Sequence, residues 1–180
     1  ALMLFTTWEV MASNGTISPL LAPAPSAVAV TLIDQLASGE VLTHLFATLY
    51  RLVGGLLVGG SVGIVAGLLM GTFKRVRDIA EPFVSAVYPL PKIAILPVVM
   101  VLLGIGDISR IAVISLSAFF PLMINTMNGV RQISPTHLDV ARNYGAEGTR
   151  LFTKVVLPAS LPMVLTGLRI SLNSALHVTT

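Results

Sequence analysis

Apolar and polar positions along this chain fall into long blocks. Between Arg51 and Lys74 stand 22 uncharged residues, and between Arg110 and Arg131 stand 20. A membrane-spanning helix needs roughly 20, so the blocks predict spans over about 45–73 and 111–130, the second with Pro121 inside it. Residues 1–11, apolar apart from Glu9, read as the end of a first span, and 161–180 as the start of a fifth. The segment 82–104 is apolar enough for a third, but Pro89, Pro91 and Pro97 interrupt it and Lys92 lies near its middle. Proline removes a helix hydrogen bond and displaces the carbonyl four residues back. Such breaks survive in membranes where protein or water satisfies the freed groups. This segment is expected to be broken or kinked and packed inside the bundle.

The polar stretches predict shorter elements. Residues 13–25 carry Asn14, Gly15, Pro19, Pro23 and Pro25, which is loop composition. Residues 26–39 read as a short amphipathic helix, with Ser26 as N-cap, Val28, Leu32 and Leu36 on one face, and Gly39 as the stop. Lys74, Arg75, Arg77 and Asp78 form a short basic loop, and 104–110 a turn.

Within the 45–73 span, Gly55, Gly59, Gly63, Gly67 and Gly71 recur at every fourth position. Residues four apart share a helix face, so the span presents a groove of bare backbone. In lipid, small residues at this spacing let a second helix approach closely, either within the chain or across a dimer.

Composition supports the membrane reading: 11% of residues are charged, against about 25% in a soluble domain. The fold class is therefore all-α, a polytopic helical membrane protein, with residues 1–180 forming a single transmembrane domain in contact with the lipid bilayer. The chain starts on Ala inside one apolar stretch and ends at Thr180 inside another, as expected of a protein truncated at both ends. Loops 74–81 and 131–154, separated by two predicted spans, share a side and hold seven of the eleven basic residues; Arg51 and Arg110 lie opposite. The excess places those loops in the cytoplasm.

Several chemistries are excluded. No phosphate-binding G-x-x-x-x-G-K-[ST] motif occurs. His44, His137 and His177 fall on different elements, and there is no cysteine, so no metal or thiolate site is expected. Ser115 and Ser117 suit hydrogen bonds back to helix carbonyls better than catalysis. The basic residues form no patch interleaved with aromatics, which leaves no nucleic-acid reading. The chain is not expected to be an enzyme. The spans hold no carboxylate beyond an interfacial Glu81, which counts against proton-coupled transport. A secondary transporter built on broken helices is the alternative. Lys92 and Arg169 are the ionisable residues inside spans and the candidates for a substrate path. Arg169 either snorkels to the headgroups or lies on an anion pathway; Lys92 is either near the membrane centre or at its edge.

The segment 131–158 is a polar insert between spans. Pro135 to Tyr144 reads as a short helix with Leu138, Ala141 and the Tyr144 ring near one face, and Gly145 as a sharp turn after it. Asp139-Val140-Ala141, then Gly145 after three residues, then Val155-Val156-Leu157-Pro158 after nine more, resembles the signature loop of permease subunits in ATP-binding cassette importers, E-A-A, three residues, Gly, nine residues, I-x-L-P. The departures are conservative in size and character. Residues 36–51, 89–107 (PLPKIAILPVVMVLLGIGD) and 157–169 (LPASLPMVLTGLR) are similar to the nitrate, sulfonate and taurine branch of these permeases.

That resemblance implies an importer-permease-like bundle in a bacterial inner membrane, with 131–158 as its cytoplasmic coupling loop. It implies that Leu138, Asp139, Ala141, Arg142, Tyr144 and Gly145 dock on cytoplasmic ATP-binding subunits. It further implies a second permease subunit, as a homodimer, and an extracytoplasmic solute-binding protein. ATP would be bound by a partner, with no cofactor in this chain. The function implied is inward movement of a small anion or organic sulfonate-like solute by alternating access.

Overall fold

The computed structural model describes residues 2–18 and 21–179. Its elements are α1 (Leu2–Ser13), α2 (Pro25–Ala37), α3 (Glu40–Thr72), α4 (Lys74–Val87), α5 (Lys92–Leu103), α6 (Asp107–Arg131), α7 (Pro135–Asn143), α8 (Gly148–Leu151), a π-helical turn (Phe152–Val156) and α9 (Leu157–Thr179). No strand occurs among the described residues. Contacts divide the chain into two units, residues 1–48 and 49–180.

The first unit holds α1, α2 and the opening turns of α3. Ser26 is not the N-cap of α2: Ala24 is, and Pro25 takes the first helical position, where its missing N–H costs nothing. The Ser26 amide and hydroxyl instead donate to the Glu9 carboxylate at 3.0 and 2.6 Å.

The second unit is organised by α3, α6 and α9. Among the described residues, three helical stretches are long and apolar enough to cross a membrane: Glu40–Thr72, Asp107–Arg131 and Gly148–Val178. A Cβ added at Gly63 would lie 2.7 Å from the Phe119 carbonyl oxygen, at Gly67 2.5 Å from that of Met123, and at Gly71 2.6 Å from the Val130 Cβ. At Gly55 and Gly59 it would overlap the Ile114 side chain and the Ser115 carbonyl. The partner numbers rise with the glycine numbers, so α3 and α6 run parallel. Arg51 and Asp107 close one end of this pair with a 2.7 Å ion pair.

Against α9 the register runs the other way. Gly129 meets Met163, Gly167 meets Leu122, and the Ser171 hydroxyl donates to the Ala118 carbonyl at 2.9 Å. Further along, Ile114 and Ala175 share a buried cluster with Leu52. The helix α9 is therefore antiparallel to α6.

A parallel α3–α6 pair forces the chain between them to return to the far end. It does so as two helices, α4 and α5, interrupted at residues 88–91. The lower half, α4, packs Ala80 and Val84 on Met70, Phe120, Met123 and Met127. At its top, the Tyr88 ring lies 5.9 Å from that of Phe120, about half-way along α6. The expected break is present, but the expected burial is not. Val98, Val101 and Leu102 on α5 are exposed, because α5 packs mainly on α6.

The basic stretch 74–78 is the first turns of α4 rather than a loop. Lys74 and Asp78, one turn apart, form a 2.6 Å ion pair, and Arg77 donates to the Met70 carbonyl at 3.3 Å, a cation at the carbonyl end of α3. The Ser115 and Ser117 hydroxyls return to the carbonyls of Ile111 and Val113.

Gly63→Leu should cost about 1–3 kcal/mol through overpacking, because the nearest obstacle is backbone. Thermal aggregation of the purified full-length protein in detergent should begin at lower temperature. Val53→Leu, on the exposed side of α3, should leave it unchanged. Equal behaviour of the two variants would remove the glycine contact as a stabilising feature.

Candidate functional site

The polar insert starts where α6 ends. Ser134 is extended, Pro135 opens α7, and the amides of His137 and Leu138 donate back to the Ser134 carbonyl. The helix closes with two bonds: the Ala146 amide reaches the Ala141 carbonyl at 3.0 Å, and the Gly145 amide that of Arg142 at 2.9 Å. This is the Schellman arrangement, which places the residue after the C-cap in the left-handed region. Gly145 occupies that position with φ +79°. No atom lies within 4 Å of where its Cβ would be, so the requirement for glycine here is conformational and not steric.

The side chains of α7 divide into two sets. Leu138 and Ala141 are partly covered, while Asp139, Val140, Arg142 and Tyr144 are exposed. Tyr144 is 88% exposed, so its ring stands clear of the chain instead of joining Leu138 and Ala141. The exposed apolar residue beside it is Val140, one turn earlier and 48% exposed. Val140 lies outside the set Leu138, Ala141 and Tyr144 that helical spacing picks out; its i, i+4 relation to Tyr144 is the signal in the sequence that points to it. Asp139 accepts from Arg142 at 2.9 Å, an exposed pair that holds both side chains along the helix.

After Gly145 the chain turns back toward the ends of α3 and α4. Gly148, at φ +49°, opens α8, and Thr149, Leu151 and Phe152 face Leu68, Thr72 and Phe73 across an apolar hollow of about 630 Å³. The π-helical turn follows, with the Leu157 amide bonded to the Phe152 carbonyl. Pro158 explains its position. In an α-helix the proline ring would press on the carbonyl four residues back, here Lys154, in the middle of the widened turn.

Arg169 lies on the exposed side of α9. The register of Gly167 with Leu122 and Ser171 with Ala118 sets it level with Phe120, the height of the Tyr88 ring. Lys92 opens α5 just after the break, but its side chain lies outside the described residues. The structure brings the α7 residues together at one end of the bundle, and Arg169 stands apart from them. The basic residues of α4, α7, α8 and the π-helical turn belong to that same end.

Residues 59–179 match the family described as the binding-protein-dependent transport system inner membrane component. The chain belongs to this family. Similar proteins include one of Bacillus subtilis carrying the name SsuC, aliphatic sulfonates transport permease, 34% identical over 96% of this chain and 63% of its own length. The taurine transport system permease protein TauC of Escherichia coli is 33% identical over 95% of this chain and 64% of its own. The formylaminopyrimidine transport permease protein ThiX of Halalkalibacterium halodurans is 34% identical over 97% and 69%. The chain thus spans just under two thirds of the length of the sulfonate and taurine relatives. It is a multi-pass helical membrane protein of a family of transport components, not of enzymes.

Gly145→Ala should strain the α7 turn, since a left-handed residue with a side chain costs roughly 1–2 kcal/mol, and Gly145→Asn should cost less because Asn tolerates that region. Hydrogen exchange at the Gly145 and Ala146 amides should accelerate in the order Ala, then Asn, then native. An unchanged rate with Ala would mean the two closing bonds do not depend on glycine.

Proposed function

We propose that this chain is the core of the membrane-spanning permease subunit of an ATP-driven importer in a bacterial inner membrane, moving a small anion or organic sulfonate-like solute inward by alternating access. Residues 1–180 act as one transmembrane domain, and 131–158 as its cytoplasmic coupling loop. Two such permeases pair, two cytoplasmic subunits bind and hydrolyse ATP, and a solute-binding protein delivers the cargo from the other side. The chain itself holds no cofactor. Arg169 and Lys92 belong to the substrate path.

The observation that carries this reading is the exposed α7 face ended by a glycine-locked turn. It stands at the same end of the bundle as the basic residues of α4, as the cytoplasmic side requires. The names of the sulfonate and taurine relatives supply the solute class. Val140 and Tyr144 give the ATP-binding subunit an apolar ridge, and the closing bonds make α7 a stiff lever. A docked lever shifts the bundle between inward and outward states only if its contacts differ between them. The α7 loop therefore transmits motion and performs no chemistry.

Two experiments on the full-length subunit test this. Cysteines at Thr72 and Thr149 should react with impermeant reagents only from the cytoplasm, and one at Gly106 only from outside; labelling of Thr149 from outside overturns the orientation. In vesicles carrying the whole complex, Gly145→Asp and Tyr144→Ala should insert normally yet lose ATP-binding subunits on purification and lose ATP-dependent uptake. An exposed aromatic anchor at an interface typically carries about 2 kcal/mol, a thirtyfold weakening. Full uptake by both variants would mean that α7 is not the coupling element.

A further inference from the structure

We propose that Arg169, with Asn173 one turn above it and Thr166 one turn below, forms an anion-recognising stripe facing a water-filled passage at the centre of the membrane. This rests on the importer reading and adds the residues that would select the charge of the cargo. The ligand class is a monoanionic oxyanion such as a sulfonate.

The exposed side of α9 is divided lengthwise. Leu161, Leu165, Leu168, Leu172 and Leu176 form one exposed column, suited to lipid. Thr166, Arg169 and Asn173 form the adjoining column and are all exposed. Ser160, Gly167, Ser171 and Ala175 form the buried face against α6. Among the described residues, the polar column therefore has no part in packing α9 on its neighbours. A lipid-facing helix would gain nothing from it, and each such group costs free energy in hydrocarbon.

Depth removes the ordinary escape for an arginine. Phe120, level with Arg169, is 13 residues beyond Asp107 and 11 before Arg131, or about 20 and 16 Å along the helix. Neither end is within reach of an arginine side chain, so snorkelling does not relieve the charge. No ion pair or hydrogen bond engages the Arg169 side chain among the described residues. No carboxylate occurs on α3 beyond Glu40, on α6 beyond Asp107, or on α5 or α9. Asp78 is held by Lys74, and Glu81 lies two turns below Tyr88 on α4.

The donors suit one anion. The guanidinium presents a planar fork that matches an oxyanion, and the Asn173 amide adds donors from the same face. The Thr166 hydroxyl already donates to the Pro162 carbonyl at 3.0 Å, so Thr166 widens the polar column without competing for the charge.

The chain contains no cysteine, so single cysteines in the full-length permease, assembled with its ATP-binding subunits in proteoliposomes, read out accessibility directly. Cysteines at Thr166 and Asn173 should react with water-soluble methanethiosulfonates far faster than cysteines at Leu165 and Leu172. At position 166 the anionic sulfonatoethyl reagent should outpace the cationic trimethylammonium reagent, each relative to a free thiol, by about two orders of magnitude, since a charge ~10 Å away at an effective dielectric of ~20 speeds the anion and slows the cation by more than ~10-fold each. Arg169→Gln should abolish that preference and Arg169→Lys retain it. Ethanesulfonate, but not neutral dimethyl sulfone, should slow the reaction unless Arg169 is replaced by Gln. Equal rates in the polar and leucine columns would overturn the passage, and equal rates for the two reagents would overturn anion selection. ATP dependence of uptake is measured separately: its loss would defeat the importer reading while leaving the labelling pattern standing.

Discussion

The close approach of two backbones, α3 against α6, is the constraint on which this bundle depends. In lipid there is little hydrophobic gain in joining two apolar helices, so association relies on packing. Five glycines on one face of α3 remove every side chain between it and the carbonyls of Ser115, Phe119 and Met123. Because this contact is parallel, the intervening chain has to climb the full height of the pair. The proline-broken α4–α5 segment follows from that. The contact also sets the levels of everything else, since α9 keeps register with α6 and the Tyr88 ring with Phe120.

Several features were legible in the sequence for physical reasons. Glycine at every fourth position has only one face to lie on, so a bare groove could be read directly. Which helix fills it could not, because spacing along α3 carries no information about α6. The break near Pro89 and Pro91 followed from chain chemistry alone. The basic stretch misled, because charge clusters are common in loops; the Lys74–Asp78 pairing was the better signal. Ser26 looked like a cap until Pro25 is recognised as already occupying the first turn. Helical spacing sets the Tyr144 ring near one face with Leu138 and Ala141, whereas in the structure it stands exposed beside Val140, past the end of α7. The depth of Arg169 could not be read from the sequence of α9 alone, since its level is set by the register of α9 on α6.

The α7 end and the centre of the bundle are built differently. Around α7 the backbone is held by capping bonds and a left-handed glycine, with side chains left exposed. Beyond it, the apolar hollow and the π-helical turn separate this element from the tightly packed part of α9. The glycine contact of α3 with α6 shares no residue with α7 or the widened turn. At the centre, the polar column of α9 shares no residue with the faces that hold the helices together.

The parallel pairing also has a consequence for synthesis. Antiparallel helices joined by a short loop can pair almost as soon as the second emerges. Here the last turn of α6 is made about 60 residues after that of α3, or roughly 3–12 s at 5–20 residues per second. Throughout that interval the open groove of α3 faces lipid or whatever other helix is being inserted nearby. A nascent chain with five glycines in register is a good surface for the wrong neighbour as well as for the right one. Quality control of this protein thus has its narrowest window before the bundle exists at all.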